Sequence, residues 1–206
     1  MKKITKRLFI PAKSRVKLNK SKIEEVSKKL PKEVAIVYSI QFQELAFEVE
    51  KSLTKNHKIT FITQVLGCSN PKFPKQTQAI LLIGSGKFHA SSLALNTSLP
   101  IYILNSKGLE KVSEKDIKFL KNKQKFAKLK FLNADKIGIL VSTKPGQQNL
   151  EKAINIKKKI KNKKTYLFLD NNINTQEFEN FKIDSWINTA CPRLDMDSSV
   201  INMEDL

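Results

Sequence analysis

Two cysteines are the residues of this chain best suited to metal or redox chemistry, and each stands beside a short apolar run. Cys68 lies in "QVLGCS", two residues after a run ending at Leu66. Cys191 lies in "DSWINTACPRLDMD", directly after "SWINTA" and before Pro192. Gly67 and Ser69 on one side, Ala190 and Pro192 on the other, are small or turn-forming and leave room around each sulfur. Two thiols so placed read either as unrelated buried residues or as ligands that converge on a shared metal. Two thiolates alone complete no common site. A structural zinc takes four ligands, and an iron–sulfur cluster takes four, or three when one iron stays open. No CxxC exists, and His57 in "KNHKI" reads as a solvated turn residue.

Further groups stand at comparable places. "LLIGSGKFH" is a glycine turn in which Gly84 and Gly86 let the backbone approach a ligand, and free amides at the following helix start favour a carboxylate or phosphate. His89 falls in the first turn of that helix, as a packing residue or as a ligand contact. The pair of glycines lacks the third glycine of a dinucleotide fingerprint. "VSTKPGQQ" is the matching turn further on, with Lys144 and Gln147 flanking Pro145-Gly146. Arg193, two places past Cys191, carries a guanidinium that stabilises a nearby thiolate or holds a carboxylate. Asp195 is placed to pair with it, as in an ordinary salt bridge.

The elements that must position these residues follow a β-α-β rhythm. Apolar runs over 34–40, 59–66, 79–85 and 100–105 predict strands apolar on both faces, as in a buried parallel sheet. Leu45, Val49 and Leu53 repeat at helical spacing between the first two, and a helix follows Gly86. The rhythm repeats with strands over 137–143, 165–170 and 185–190, a helix over 147–162 and a short helix near 175–181. Residues 113–134 predict a long basic helix placed to connect two lobes, and a helix over about 20–30 ends at Pro31. The fold class expected is α/β: two similar small Rossmann-like lobes with mainly parallel sheets, 1–112 and 113–206. The cysteines then fall at carboxyl ends of strands, in the cleft between the lobes, where open sheets bind ligands.

Composition narrows the setting. At 206 residues and 40% hydrophobic content the chain can bury a core. No apolar run is long enough to span a membrane, and no secretory leader is visible. A cytoplasmic protein is expected, in which a disulfide is disfavoured. Lysine and arginine number 38 against 19 acidic residues, a net charge of +19. Such an excess favours an acidic partner or nucleic acid. However, arginine occurs only at Arg7, Arg15 and Arg193, and diffuse lysine reads equally as a solvated surface.

Taken in order, "RLFIPA", "VAIVYSIQF", "QVLGCS", "IGSGKFHASSLAL", "TKPGQ", "NTACPRLDMD" and "VINMEDL" resemble the archaeal diphthamide synthases, the 2-(3-amino-3-carboxypropyl)histidine synthases of diphthamide biosynthesis. The resemblance covers nearly the whole chain. It implies a family of three similar α/β domains, each supplying one cysteine to a single 4Fe–4S cluster whose open iron binds S-adenosyl-L-methionine. One-electron reduction then releases a 3-amino-3-carboxypropyl radical, which adds to C2 of a histidine in translation elongation factor 2. On this resemblance Cys68 and Cys191 are catalytic iron ligands. Gly84, Gly86, His89, Lys144, Gln147, Arg193 and Asp195 are candidates for the cofactor pocket.

The chain matches the family's middle and C-terminal domains and lacks the first. The resemblance therefore implies a split enzyme, in which a separate polypeptide carries the missing domain and the third cysteine. Two other readings stay open: a non-catalytic paralogue acting as a scaffold subunit, and a basic RNA-binding protein.

Overall fold

The computed structural model describes residues 12–67, 69–85, 87–194 and 200–206. They fall into two compact units, one reaching to Ser113 and one from Glu114 to Leu206. The start of the "RLFIPA" motif, through residue 11, lies outside the described residues.

In the first unit five strands lie in the order β2-β1-β3-β4-β5. They are β1 (Glu33–Tyr38), β2 (Lys58–Gln64), β3 (Ala79–Ile83), β4 (Ile101–Asn105) and β5 (Gly108–Lys111). The first four run parallel, and β5 pairs antiparallel with β4. The interior strands β1 and β3 are buried along almost their whole length, which is why they read as unbroken apolar runs. Strand β2 is only partly buried because it forms the sheet edge.

Helix α1 (Lys20–Lys29) starts at Asn19, whose side chain accepts a hydrogen bond from the Lys22 amide. Helix α2 (Gln43–Leu53) buries Leu45, Ala46, Val49 and Leu53 against β1 and β3, each large side chain contributing about 1.5–3 kcal/mol. Helix α3 (Lys87–Asn96) follows the glycine turn.

His57 departs from the solvated role expected of it. Its Nδ1 lies 2.7 Å from the Pro31 carbonyl and its Nε2 2.8 Å from Ser27 Oγ. A carbonyl only accepts, so Nδ1 carries a proton and donates it to the Pro31 carbonyl. The ring fastens the end of α1 to the α2–β2 turn.

In the second unit four parallel strands lie in the order β7-β6-β8-β9. They are β6 (Lys136–Ser142), β7 (Lys164–Asp170), β8 (Ser185–Asn188) and β9 (Ile201–Asn202). Helix α4 (Glu114–Asn133) packs Ala127 into this unit's core beside Ile137, Ile139 and Ile187, so it belongs to the unit instead of standing apart as a linker. Lys163 Nζ closes its C-terminus, donating to the Leu132 and Ala134 carbonyls at 2.8 and 2.6 Å. Helix α5 (Leu150–Lys159) covers the sheet through Ala153. Residues Thr175–Asn180 form a 3-10 helix. Among the described residues no helix is long and apolar enough to cross a membrane.

Candidate functional site

The carboxyl edge of the second sheet carries Cys191. Strand β8 ends at Asn188, two residues earlier than the apolar run suggests, because Asn188 and Thr189 turn the chain with their side chains. Asn188 is buried. Its Nδ2 donates to the Cys191 carbonyl at 2.9 Å and to Asn202 Oδ1 at 2.7 Å, and its Oδ1 accepts from the Ala190 amide at 2.9 Å. Thr189 is also buried, and both its amide and its hydroxyl donate to the Leu140 carbonyl, at 3.2 and 2.7 Å. The Leu194 amide closes the turn onto the Cys191 carbonyl at 3.1 Å. The backbone at residue 191 is thus held by its neighbours, while the thiol is free and half-exposed.

Beside it stands the turn after β6. Gln147 N–H donates to the Lys144 carbonyl at 3.0 Å, with Pro145 at the second position and Gly146 at φ +83° at the third. That is a type II turn, whose third position demands the left-handed region and therefore glycine. Asn149 Nδ2 donates to the Thr189 carbonyl at 2.7 Å, joining this turn's exit to the cysteine loop. Lys144, Gln147, Cys191 and the exposed Arg193 are therefore brought to one edge of one sheet. Asp195 lies outside the described residues.

In the first unit Gly84 directly follows β3, and His89 lies in the first turn of α3. Cys68 and Gly86 lie outside the described residues, but their neighbours are informative. The Leu66 amide donates to Ser69 Oγ at 2.7 Å, and the Ser69 amide donates back to the Leu66 carbonyl at 3.0 Å. A Cβ built on Gly67 would lie 1.9 Å from Phe88 Cε1, so the ring at the start of α3 rests directly on the Gly67 backbone. Only glycine admits that approach. The Gly84 N–H bonds to the Leu104 carbonyl at 3.2 Å. A Cβ there would meet only Ser39 Oγ, at 3.5 Å, an ordinary contact.

His89 is half-buried and meets the Phe88 ring edge to face at 5.4 Å. Burial pushes its imidazole below the ordinary value of 6.5. The unfolded chain then binds the proton more readily than the folded one, so stability is full above about pH 6.5 and falls as the pH drops through the folded value. Denaturant midpoints measured between about pH 7.5 and pH 5 should decline in the native chain and decline less steeply in His89→Gln. Equal slopes would remove His89 from this account.

Asn149 and Phe88 were not among the residues singled out from sequence; Gly67 was read only as a small residue beside Cys68, and Asn188 and Thr189 only as neighbours of Cys191. A polar pair ending a buried strand was the available signal for Asn188 and Thr189, because a buried polar side chain must find partners. Gly67 and Phe88 meet only in three dimensions.

A two-unit α/β protein with mostly parallel strands, and a free thiol on a pinned loop at a strand's carboxyl end, is the class that fold and site define. The family model described as "Putative diphthamide synthesis protein" matches residues 2–201, and the chain belongs to that family. It is 27% identical to the 2-(3-amino-3-carboxypropyl)histidine synthase of Pyrococcus horikoshii over 92% of this chain and 59% of the relative. It is 31% identical to the Methanocaldococcus jannaschii protein of the same name, over 82% of this chain and 48% of the relative. The crystal structure of Dph2 from Pyrococcus horikoshii with a 4Fe–4S cluster superimposes with a TM-score of 0.74 at 27% identity, covering 90% of this chain and 59% of that one. The chain thus spans about half the length of these relatives. Eremothecium gossypii contributes a relative named subunit 1 of the same synthase, 28% identical over 80% of this chain and 42% of its own length.

The chemistry of Cys191 fits such a cluster: a free sulfur donor, outside the core, on a loop whose backbone is fixed. Among the described residues no three of His, Cys, Asp and Glu gather to hold a metal.

Proposed function

We propose that this chain supplies two iron ligands, Cys68 and Cys191, to a 4Fe–4S cluster in a diphthamide synthase. A third thiolate comes from outside these 206 residues, which contain only two cysteines, and a separate polypeptide is its proposed source. The reaction is transfer of the 3-amino-3-carboxypropyl group of S-adenosyl-L-methionine to C2 of a histidine in translation elongation factor 2. The cluster, when bound, supplies one electron and an open iron that chelates the methionine amino and carboxylate groups.

This chain's own residues hold and orient. Asn188 fixes the backbone from which Cys191 projects. The Lys144–Gln147 turn, tied to the cysteine loop through Asn149, and Arg193 offer cations and amides to the methionine carboxylate. Orientation decides which S–C bond faces the reductant. His89, Gly84, Gly86 and Asp195 are proposed for the remainder of the pocket. The observation that carries the reading is the free, half-exposed Cys191 thiol on a loop built around its backbone.

The test is anaerobic reconstitution of this chain with a polypeptide matching the part of the archaeal relatives it does not span. Iron and sulfide near four each per complex are expected, with S-adenosyl-L-methionine cleavage on reduction. Cys68→Ala or Cys191→Ala should abolish stable cluster content while leaving the fold intact by circular dichroism. Full cluster content in either variant would show the ligands to be misassigned. A stoichiometric cluster on the chain alone would remove the need for an outside thiolate.

A further inference from the structure

Helix α4 has apolar residues on two sides. On one, Ala127 is buried and Phe131 packs against the core of its own unit. On another, Phe119, Phe126, Leu129 and Leu132 are 68%, 63%, 57% and 57% exposed. A helix docked on a sheet needs one apolar stripe. Four large apolar side chains left in water along one helix exceed the scattered single exposures of an ordinary surface.

The same helix carries seven lysines against Glu114 and Asp116. At 100° per residue, Lys115, Lys118, Lys125 and Lys130 project among Phe119, Phe126 and Leu129. All four are exposed, and among the described residues none is in an ion pair.

We infer that this face of α4 docks a partner protein whose contact segment presents apolar side chains ringed by carboxylates. Charge selects that occupant. A second copy would set these lysines against themselves, on a chain already at +19. Nucleic acid would meet the lysines but leave Leu129 and Leu132 unmatched. A lipid surface takes a continuous apolar face with its cations opposite, whereas here the lysines stand between the apolar residues. The inference rests on α4 alone and not on the cluster reading.

The test uses the full chain and a fluorescent synthetic helix with leucine and phenylalanine on one face flanked by glutamates. Anisotropy titrations should show saturable binding that weakens at least about tenfold in Phe119→Gln/Phe126→Gln. It should also weaken when salt rises from about 50 to about 300 mM. Lys118→Glu/Lys125→Glu should reverse the preference, favouring a helix flanked by lysines. No binding by the native chain, or equal binding by the glutamine pair, overturns the inference. So does a dimer in sedimentation that the glutamine pair dissociates, or capture by phosphatidylserine vesicles that the pair abolishes. A melting temperature lowered by more than about 5 °C in the glutamine pair would show the face covered within the chain, and overturns it equally.

Discussion

In the Asn188→Ala chain, Cys191 should alkylate several-fold faster than in the native protein, and the second unit should lose about 2–4 kcal/mol of stability. The stability loss follows from three hydrogen bonds made by one buried side chain, at about 1 kcal/mol each. The Ala190 amide, only partly buried, is left to water. The Cys191 carbonyl keeps the Leu194 amide, so the turn survives in a looser form, and the thiol samples more directions. Alkylation followed at the Cys191 peptide by mass spectrometry separates it from Cys68. Asn188→Asp sharpens the test, since it keeps the shape and the bond from Ala190. However, it turns an acceptor toward the Cys191 carbonyl where the amide had donated. It should therefore behave no better than alanine. An aspartate variant with native stability and native alkylation rate would show that Asn188 merely fills space.

Much of the architecture was legible because burial on both faces writes a strand as an apolar run. β1, β3, β4 and β6 lie inside their sheets and read plainly. β5, "GLEK", is a half-exposed antiparallel edge entered through a two-residue hairpin with Gly108 at φ +130°. Its alternation is too short to register. β9 is two residues long and is defined only by its pairing with β8. The apolar runs placed the cysteine motifs just past strand ends, and Cys191 follows β8. What escaped was whatever depends on register or on side-chain reach, such as Asn188 folding back onto residue 191 or Phe88 covering Gly67. The second apolar side of α4 escaped for a related reason. Its spacing is visible in the sequence, but which side meets the core depends on how the helix lands on the sheet.

Register also produces the largest stability effect expected of a single methyl group. Gly138 on β6 stands opposite Trp186 on β8, and a Cβ at 138 would lie 2.3 Å from Trp186 Cε3 and 2.4 Å from Cζ3. The indole has nowhere easy to go. It stacks on Phe178 at 4.3 Å and meets Phe168 edge to face at 4.7 Å, in a cluster with Leu140 and Val200. Gly138→Ala must therefore push the indole out of that cluster or push β8 away from β6. Overpacking costs about 1–3 kcal/mol, and losing a buried tryptophan's contacts costs about 3–5. A loss of about 3 kcal/mol is expected, a fall of roughly 12–24 °C in melting temperature for a unit of this size.

Trp186 is the only tryptophan in the chain, so its fluorescence should shift to the red in the native-buffer spectrum of the variant as the ring meets water. Trp186→Leu, introduced beside Gly138→Ala, should recover part of the loss, because the smaller side chain leaves room for the methyl. That recovery is the sign of a direct contact. Trp186 stands two residues before Asn188 on the same strand, so displacing β8 also displaces the polar pair that holds the cysteine loop. Gly138→Ala should accordingly raise the alkylation rate of Cys191 with no change to any residue of the loop. An unshifted spectrum with an unchanged melting temperature would mean that β6 and β8 are not paired in this register.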